Sequence, residues 1–221
     1  MQAGDYASAA RAYTPRMPEE QAIQFDENGL VPCVAQDWRS GEVLTLAYMS
    51  AESLQLTRES GEVHFWSRSR EEIWRKGETS GNVLRLRQLR YDCDADAIVA
   101  LVEPSGPACH TGARSCFHRE VAGGEPMPAA HEALAVLERT LEDRRRERPE
   151  GSYTADLLAD PPRIGEKVRE EADEVARAAE DESDERVAEE AADVLYHLAV
   201  LLRSRDVPVS DVLEVLNGRR R

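Results

Sequence analysis

The sequence predicts an α+β chain, with a strand-rich N-terminal domain followed by an all-α helical domain. Three observations predict it. Up to about residue 118 the apolar residues fall in short runs of strand length. Residues 121–128, VAGGEPMP, form a Gly/Pro-rich break. Beyond that break the apolar residues recur every three or four positions, the period of a helix packed on one face. The resulting division is a flexible extension over residues 1–21, a first domain over 22–120, a linker over 121–130 and a second domain over 131–221.

In the first domain, Val31 to Asp37 and Glu42 to Met49 flank the turn-like WRSG at residues 38–41, which predicts a hairpin. Ser50 is placed to cap a short helix over AESLQLTRES, and Gly61 to end it. Glu62 to Ser67, Val83 to Tyr91 and Ala97 to Glu103 are further strand candidates. In the second domain Leu134, Leu137 and Leu141 mark one helix. Ile164, Val168, Ala172, Val175 and Ala179 mark a second, and Val187, Ala191, Val194, Leu195, Leu198 and Leu202 a third. Val212 to Leu216 makes a short last helix.

Composition narrows the function classes. The 221 residues carry a formal net charge of -15, so nucleic-acid backbones are repelled. Small phosphorylated substrates remain open, provided a cation bridges them to nearby carboxylates. No apolar run approaches the ~20 residues of a membrane span, and the N-terminus lacks the apolar core of a signal peptide. Four cysteines without an export signal point to the reducing cytoplasm, where clustered cysteines serve metals or catalysis before disulfides.

Residues 92–96 read Asp-Cys-Asp-Ala-Asp. Read as strand, Asp92, Asp94 and Asp96 share one face and Cys93 takes the other. Three carboxylates on a face repel unless something positive binds, and a hard ion such as Mg²⁺ prefers such oxygens; the plain alternative is an acidic turn at a strand end. Two more cysteines follow, Cys109 and Cys116. With Cys93 they offer three thiolates to a Zn²⁺ ion and leave its fourth tetrahedral position open for water, or for His110 or His118 in a closed structural site. Three buried, inert cysteines are the alternative. Cys33, in an alternating strand, reads as core.

The segments HFWSRSREEIWRKGETSGN (64–82), YDCDADA (91–97) and PACHTGARSCFH (107–118) together resemble the phosphoribosyl-AMP cyclohydrolase family over roughly residues 22–118. The resemblance implies a dimeric zinc enzyme that hydrolyses the N1–C6 bond of the adenine ring. It implies Cys93, Cys109 and Cys116 as zinc ligands, drawn from both subunits, and Asp92, Asp94 and Asp96 as a Mg²⁺ site. His110 is the local candidate for moving protons, with a supporting role beside a zinc ligand as its alternative. Arg68, Arg70, Arg75 and Lys76 supply charge for two phosphates. Thr79, Ser80 and Gly81 let backbone groups approach an anion. Trp74 either stacks on a base or belongs to the core.

In the helical half, a turn of ~100° per residue puts Glu171 inside the apolar stripe of Ile164, Val168 and Val175. Glu174 falls at the edge of that stripe beside Lys167, and Glu170 beyond it. On the next helix Glu190 borders the stripe and Asp193 lies just outside. Charges at a helix seam are costly unless paired or metal-bound, and carboxylates facing each other across two antiparallel helices make a box for Mg²⁺. Glu182, Asp184, Glu185 and Glu189 read as ordinary surface acids. The Glu-Glu-x-x-Glu and Glu-x-x-Asp pattern resembles the all-α nucleotide pyrophosphohydrolases. With SYTADLL (152–158) and ADVLYHLAVLL (192–202) it is similar to the phosphoribosyl-ATP pyrophosphohydrolase family over roughly residues 133–218. That resemblance implies water attack on the α–β phosphate linkage, with Glu170, Glu171, Glu174, Glu190 and Asp193 holding Mg²⁺. Lys167 either meets the phosphates or pairs with Glu171 one turn on. A general nucleotide-pool pyrophosphatase is the alternative for this half, and a structural zinc module fused to a helical dimerisation module is the non-enzymatic one. The product of the second domain is the substrate of the first, so the implied protein is a bifunctional hydrolase of histidine biosynthesis and a homodimer.

Overall fold

The structure, a computed structural model, describes residues 23–124 and 126–219. The expected extension over 1–21 lies outside the described residues. The chain divides into two compact units, the second beginning at Met127.

The first unit is built on one six-stranded sheet: β1 (Leu30–Asp37), β2 (Val43–Ser50), β3 (His64–Ser67), β4 (Glu72–Arg75), β5 (Leu84–Tyr91) and β6 (Ile98–Pro104). Their order across the sheet is β4-β3-β2-β1-β6-β5. Only β1 and β6 run parallel, with Cys33 opposite Ile98; the other neighbours are antiparallel. In β1 Val31, Cys33, Ala35 and Asp37 alternate inward, the period-2 pattern of a strand with one buried face. Val31, Cys33 and Ala35 form the core with Leu44, Met49, Val63, Phe65, Leu84, Ile98, Ala100 and Val102. Cys33 is fully buried, as expected of a core residue, and burial pushes its thiol up to about 12.

The hairpin turn at Trp38–Ser40 is present, and Gly41 takes the left-handed φ of 76° that closes it. Helix α1 (Ala51–Ser60) starts on Ser50, whose side chain accepts from the Ser53 N–H at 3.2 Å while Ser53 Oγ accepts from the Ser50 N–H at 2.8 Å. It ends at Gly61 with φ 71°. Strand β4 was not anticipated. Its four residues form a sheet edge inside the charged run expected to be substrate surface, and a strand so short carries too few positions to display a period.

The second unit is helical: α2 (Ala133–Glu147), α3 (Tyr153–Leu158), α4 (Pro161–Asp181), α5 (Asp184–Ser204) and α6 (Val209–Gly218). Helices α4 and α5 are 21 residues each, joined through Glu182 and Ser183, and they pack on each other. Leu141, Leu157, Ile164, Ala199 and Val200 form the core. Helix α3 is too short for periodicity to announce it, and it rests on its Ser152 cap and on buried Leu157. The last helix begins three residues before the expected Val212, directly after Pro208, whose fixed φ suits a helix entrance.

Candidate active sites

The residues between β5 and β6 form a turn rather than the expected strand. Asp92 Oδ1 accepts from the N–H groups of Asp96 (3.1 Å) and Ala97 (3.2 Å), and Ala95 takes a φ of 62°. A carboxylate that can bond its own backbone favours such a turn over a strand ladder. The strand-parity reasoning therefore fails, yet the turn brings the carboxylates of Asp92, Asp94 and Asp96 together by another route. One oxygen of each lies within 4.8 Å of the others, and all three residues are exposed. Desolvation raises Asp92, but the hydrogen bonds from Ala97 and Asp96 outweigh it and hold its carboxyl below the ordinary range. Asp96 is raised, chiefly by the negative charges of Asp94 and Asp92. Mutual repulsion relieved by a cation fits this donor set. A Mg²⁺ shell places oxygens roughly 3–4 Å apart, so only small side-chain movements separate the turn from a ligating geometry.

The cysteine loop after β6 is pinned to β2. The Cys116 N–H donates to the Leu44 carbonyl at 2.8 Å, and Ser115 Oγ donates to the Val43 carbonyl at 2.7 Å. Arg114 bridges Asp37 and Glu42, and Asp37 is almost wholly buried. Cys109 is buried, and Thr111 Oγ1 donates to its sulfur at 3.1 Å. That hydroxyl and the Thr111 backbone N–H lower the Cys109 thiol against the opposing effect of desolvation, and Cys116 and the Lys76 ammonium lower it further. Cys93 and Cys116 are exposed. Among the described residues no cysteine joins a group of three potential metal ligands, so a single chain does not gather all three sulfurs. His110 is exposed, its Nδ1 4.0 Å from Cys109 Sγ.

The basic strip lies in the turn between β3 and β4, at the end of β4 and just beyond it. The Arg68 guanidinium sits 4.0 Å from the Tyr48 ring centre, and Arg70 and Lys76 flank the Trp74 ring at 6.0 and 5.9 Å. Trp74 packs on Phe65 at 5.5 Å and stays half-buried, so it serves the core on one side and meets cations on the other. Arg75 pairs with Glu62 at 2.8 Å and Arg70 with Glu72 at 3.1 Å. Thr79 and Ser80 are exposed in the turn.

In the helical unit Glu171 and Glu174 on α4 meet Glu190 on α5, with one oxygen of each within 4.8 Å of the others. Glu171 and Glu190 are each only 7% exposed. Lys167 pairs with Glu170 at 2.9 Å and Glu171 at 3.4 Å, and Arg186 pairs with Glu182, Glu189 and Glu190. Lys167 holds the Glu170 carboxyl below the ordinary range. Glu170 and exposed Asp193 do not join the cluster. Two buried carboxylates beside a third fit a hard divalent cation by both chemistry and spacing.

Sequence reasoning missed several groups around these sites. Asp37, at an inward position of an alternating strand, was legible as a buried acid; Arg114, its partner 77 residues away, was not. Thr111 gave a faint signal as a hydroxyl two residues beyond a cysteine. His197, in the middle of an apolar helix, was passed over although it is buried against Glu171.

Two family models match the chain in tandem: phosphoribosyl-AMP cyclohydrolase over residues 45–118 and phosphoribosyl-ATP pyrophosphohydrolase over residues 134–220. The chain is 49% identical to the histidine biosynthesis bifunctional protein HisIE of Bacillus subtilis, across 92% of this chain and 97% of that protein. It is 48% identical to the protein of the same name from Halalkalibacterium halodurans, across 90% and 96%. A third, from Parasynechococcus marenigrum, is 46% identical across 90% and 92%. No helix among the described residues is long and apolar enough to cross a membrane. With both domains matched in order and nearly half of the residues shared along almost the whole length, this chain belongs to the bifunctional histidine-biosynthesis enzymes that join a phosphoribosyl-AMP cyclohydrolase to a phosphoribosyl-ATP pyrophosphohydrolase.

Proposed function

We propose that the helical domain cleaves phosphoribosyl-ATP to phosphoribosyl-AMP and pyrophosphate with a Mg²⁺ ion held by Glu171, Glu174 and Glu190. The strand-rich domain then opens the adenine ring of phosphoribosyl-AMP between N1 and C6, and both steps take place in the cytoplasm. The observation that carries this reading is the convergence of Glu171 and Glu190, nearly excluded from solvent, with Glu174 at the α4–α5 seam. A Mg²⁺ ion held there would screen the polyphosphate charge from an attacking water. Lys167 balances two acids at this seam, and in this reading its ammonium also meets the phosphates.

In the first domain Cys109 and Cys116 supply two sulfur ligands for Zn²⁺, and Cys93 of a second copy completes the set. This reading makes the protein a homodimer; that one chain does not bring the three sulfurs together supports it. Exposed Leu195, Leu213, Val215 and Leu216 offer apolar surface in the helical domain for the same association. Zinc held by these sulfurs would supply a water acidic enough to attack near neutral pH. His110, exposed beside Cys109, receives or delivers the proton at the ring nitrogen. Asp92, Asp94 and Asp96 hold a Mg²⁺ ion that neutralises a substrate phosphate, and Arg68, Arg70, Arg75 and Lys76 bind the phosphoribosyl ends, with Trp74, Thr79 and Ser80 beside them.

The test supplies each reaction with its own substrate: pyrophosphate release is followed on phosphoribosyl-ATP, and ring opening on phosphoribosyl-AMP. Cys109→Ala should abolish ring opening and spare pyrophosphate release; Glu171→Ala should do the reverse. A folded variant of either kind that loses both steps refutes the two-site reading.

A further inference from the structure

His197 stands in α5 where packing alone would be served by leucine: Ala199 and Val200 beside it belong to the core, and the imidazole is only 5% exposed. A buried polar ring in such a place needs partners for both nitrogens. It has them. Nδ1 lies 2.9 Å from the Asp193 carbonyl, and because a carbonyl only accepts, Nδ1 carries a hydrogen. The same nitrogen is 3.6 Å from Glu171 Oε1, across the seam on α4. Nε2 lies 3.2 Å from the Tyr153 hydroxyl on α3. The ring plane is fixed from two sides, edge-on to Tyr153 at 6.3 Å and to Tyr196 at 5.0 Å, and Tyr196 is itself tied to Thr154 of α3 at 2.7 Å.

We infer that His197 is a positioning residue of the pyrophosphohydrolase site, orienting the Glu171 carboxylate for its cation with Tyr153 as the strut behind the imidazole. This rests on the reading that Glu171, Glu174 and Glu190 hold the ion. The one hydrogen on Nδ1 goes to the Asp193 carbonyl, so the imidazole meets Glu171 with the positive edge of its ring, 3.6 Å from Oε1; among the many rotamers of a long acidic side chain, a buried polar edge at that distance favours those that keep the carboxylate against it. Helix α3 contributes nothing to the acidic cluster, yet it reaches that cluster through one imidazole. Tyr153 is 43% exposed, and the Arg163 guanidinium lies 5.7 Å from its ring centre, so the strut extends to the surface beside a cationic side chain.

The test measures Mn²⁺ binding to the full chain by electron paramagnetic resonance, in an Asp92→Asn/Asp94→Asn/Asp96→Asn background that silences the other acidic group. Glu171→Gln must first lose the ion; if it binds like its parent, the cation reading fails and the inference with it. Given that loss, His197→Leu should weaken Mn²⁺ roughly tenfold or more, the usual effect of removing a group that orients a metal ligand. His197→Asn, whose side-chain amide N–H stands near the place of Nδ1, should recover most of that affinity, and Tyr153→Phe should lose less than His197→Leu. A folded His197→Leu protein with parental affinity overturns the inference, as does His197→Asn no better than leucine. If His197→Leu does not fold, Tyr153→Phe decides: parental affinity there overturns the inference, and weakened binding with an unchanged melting temperature upholds it.

Discussion

Replacing Arg114 by methionine should loosen the cysteine loop and stop ring opening without touching the second reaction. Arg114 bridges Asp37 and Glu42, and Asp37 is 3% exposed. A hydrogen bond to a buried charge contributes about 1.5–3 kcal/mol. Arg114 is itself 39% exposed, and Asp37 keeps the Arg39 N–H at 2.8 Å, so the loss should fall near the middle of that range, about 2 kcal/mol. For a domain of this size m in urea is about 1–1.5 kcal/mol per M, which turns the loss into a midpoint lower by roughly 1.5 M. The assay is selective, because all three tryptophans, Trp38, Trp66 and Trp74, lie in the first unit and their fluorescence follows that unit alone. Arg114→Met/Asp37→Asn should recover part of the loss, since it removes the stranded charge. A single variant whose midpoint stays within about 0.3 M of the parent, or a double variant less stable than the single, refutes the reasoning.

Three further outcomes are expected. With its thiol pushed up to about 12, Cys33 should stay unlabelled by iodoacetamide at pH 8 in the native protein, while exposed Cys93 and Cys116 react in metal-free protein; mass spectrometry of the peptides distinguishes them. Asp96 binds its proton more tightly in the native turn than in an unfolded chain, because Asp94 and Asp92 repel its charged form. In cation-free protein this group therefore favours folding more as pH falls through its raised native value and less as pH rises; the melting temperature of Asp96→Asn should exceed the parent's at pH 7 in EDTA, and the gap should close on acidification or on adding Mg²⁺. At Gly77, φ is 89° and a Cβ would sit 2.4 Å from the Asn82 carbonyl, so Gly77→Ala should destabilise the first unit by about 2 kcal/mol or more in the same fluorescence melt.

Residue order alone was sufficient for elements whose causes are local. Ser50 and Gly61 bound α1 through hydrogen bonds and a left-handed φ that need nothing from the rest of the chain. The alternation of Val31, Cys33 and Ala35, and the stripe through Ile164 and Val168, announce which faces are buried, because side-chain direction follows from strand and helix periods. Glu171 was legible for the same reason, as an acid on an apolar face. Strand β4 and helix α3 were hidden, being too short to show a period. The aspartate triplet was legible as a cluster but not as a turn, since a side chain bonding its own backbone competes with the strand ladder in a way that parity ignores.

The sequence by itself determined the two-domain order, the sheet and helix faces, the family and most of the residues expected to hold metals, because each is written in neighbours a few positions apart. Only the tertiary structure decided which acids meet at the α4–α5 seam, that Arg114 locks the cysteine loop onto Asp37, and that His197 reaches both Tyr153 and Glu171. Those contacts join residues 16 (Glu174 to Glu190) to 77 (Asp37 to Arg114) positions apart where they cross between elements, and no local period carries the distance between two side chains that the fold alone brings together.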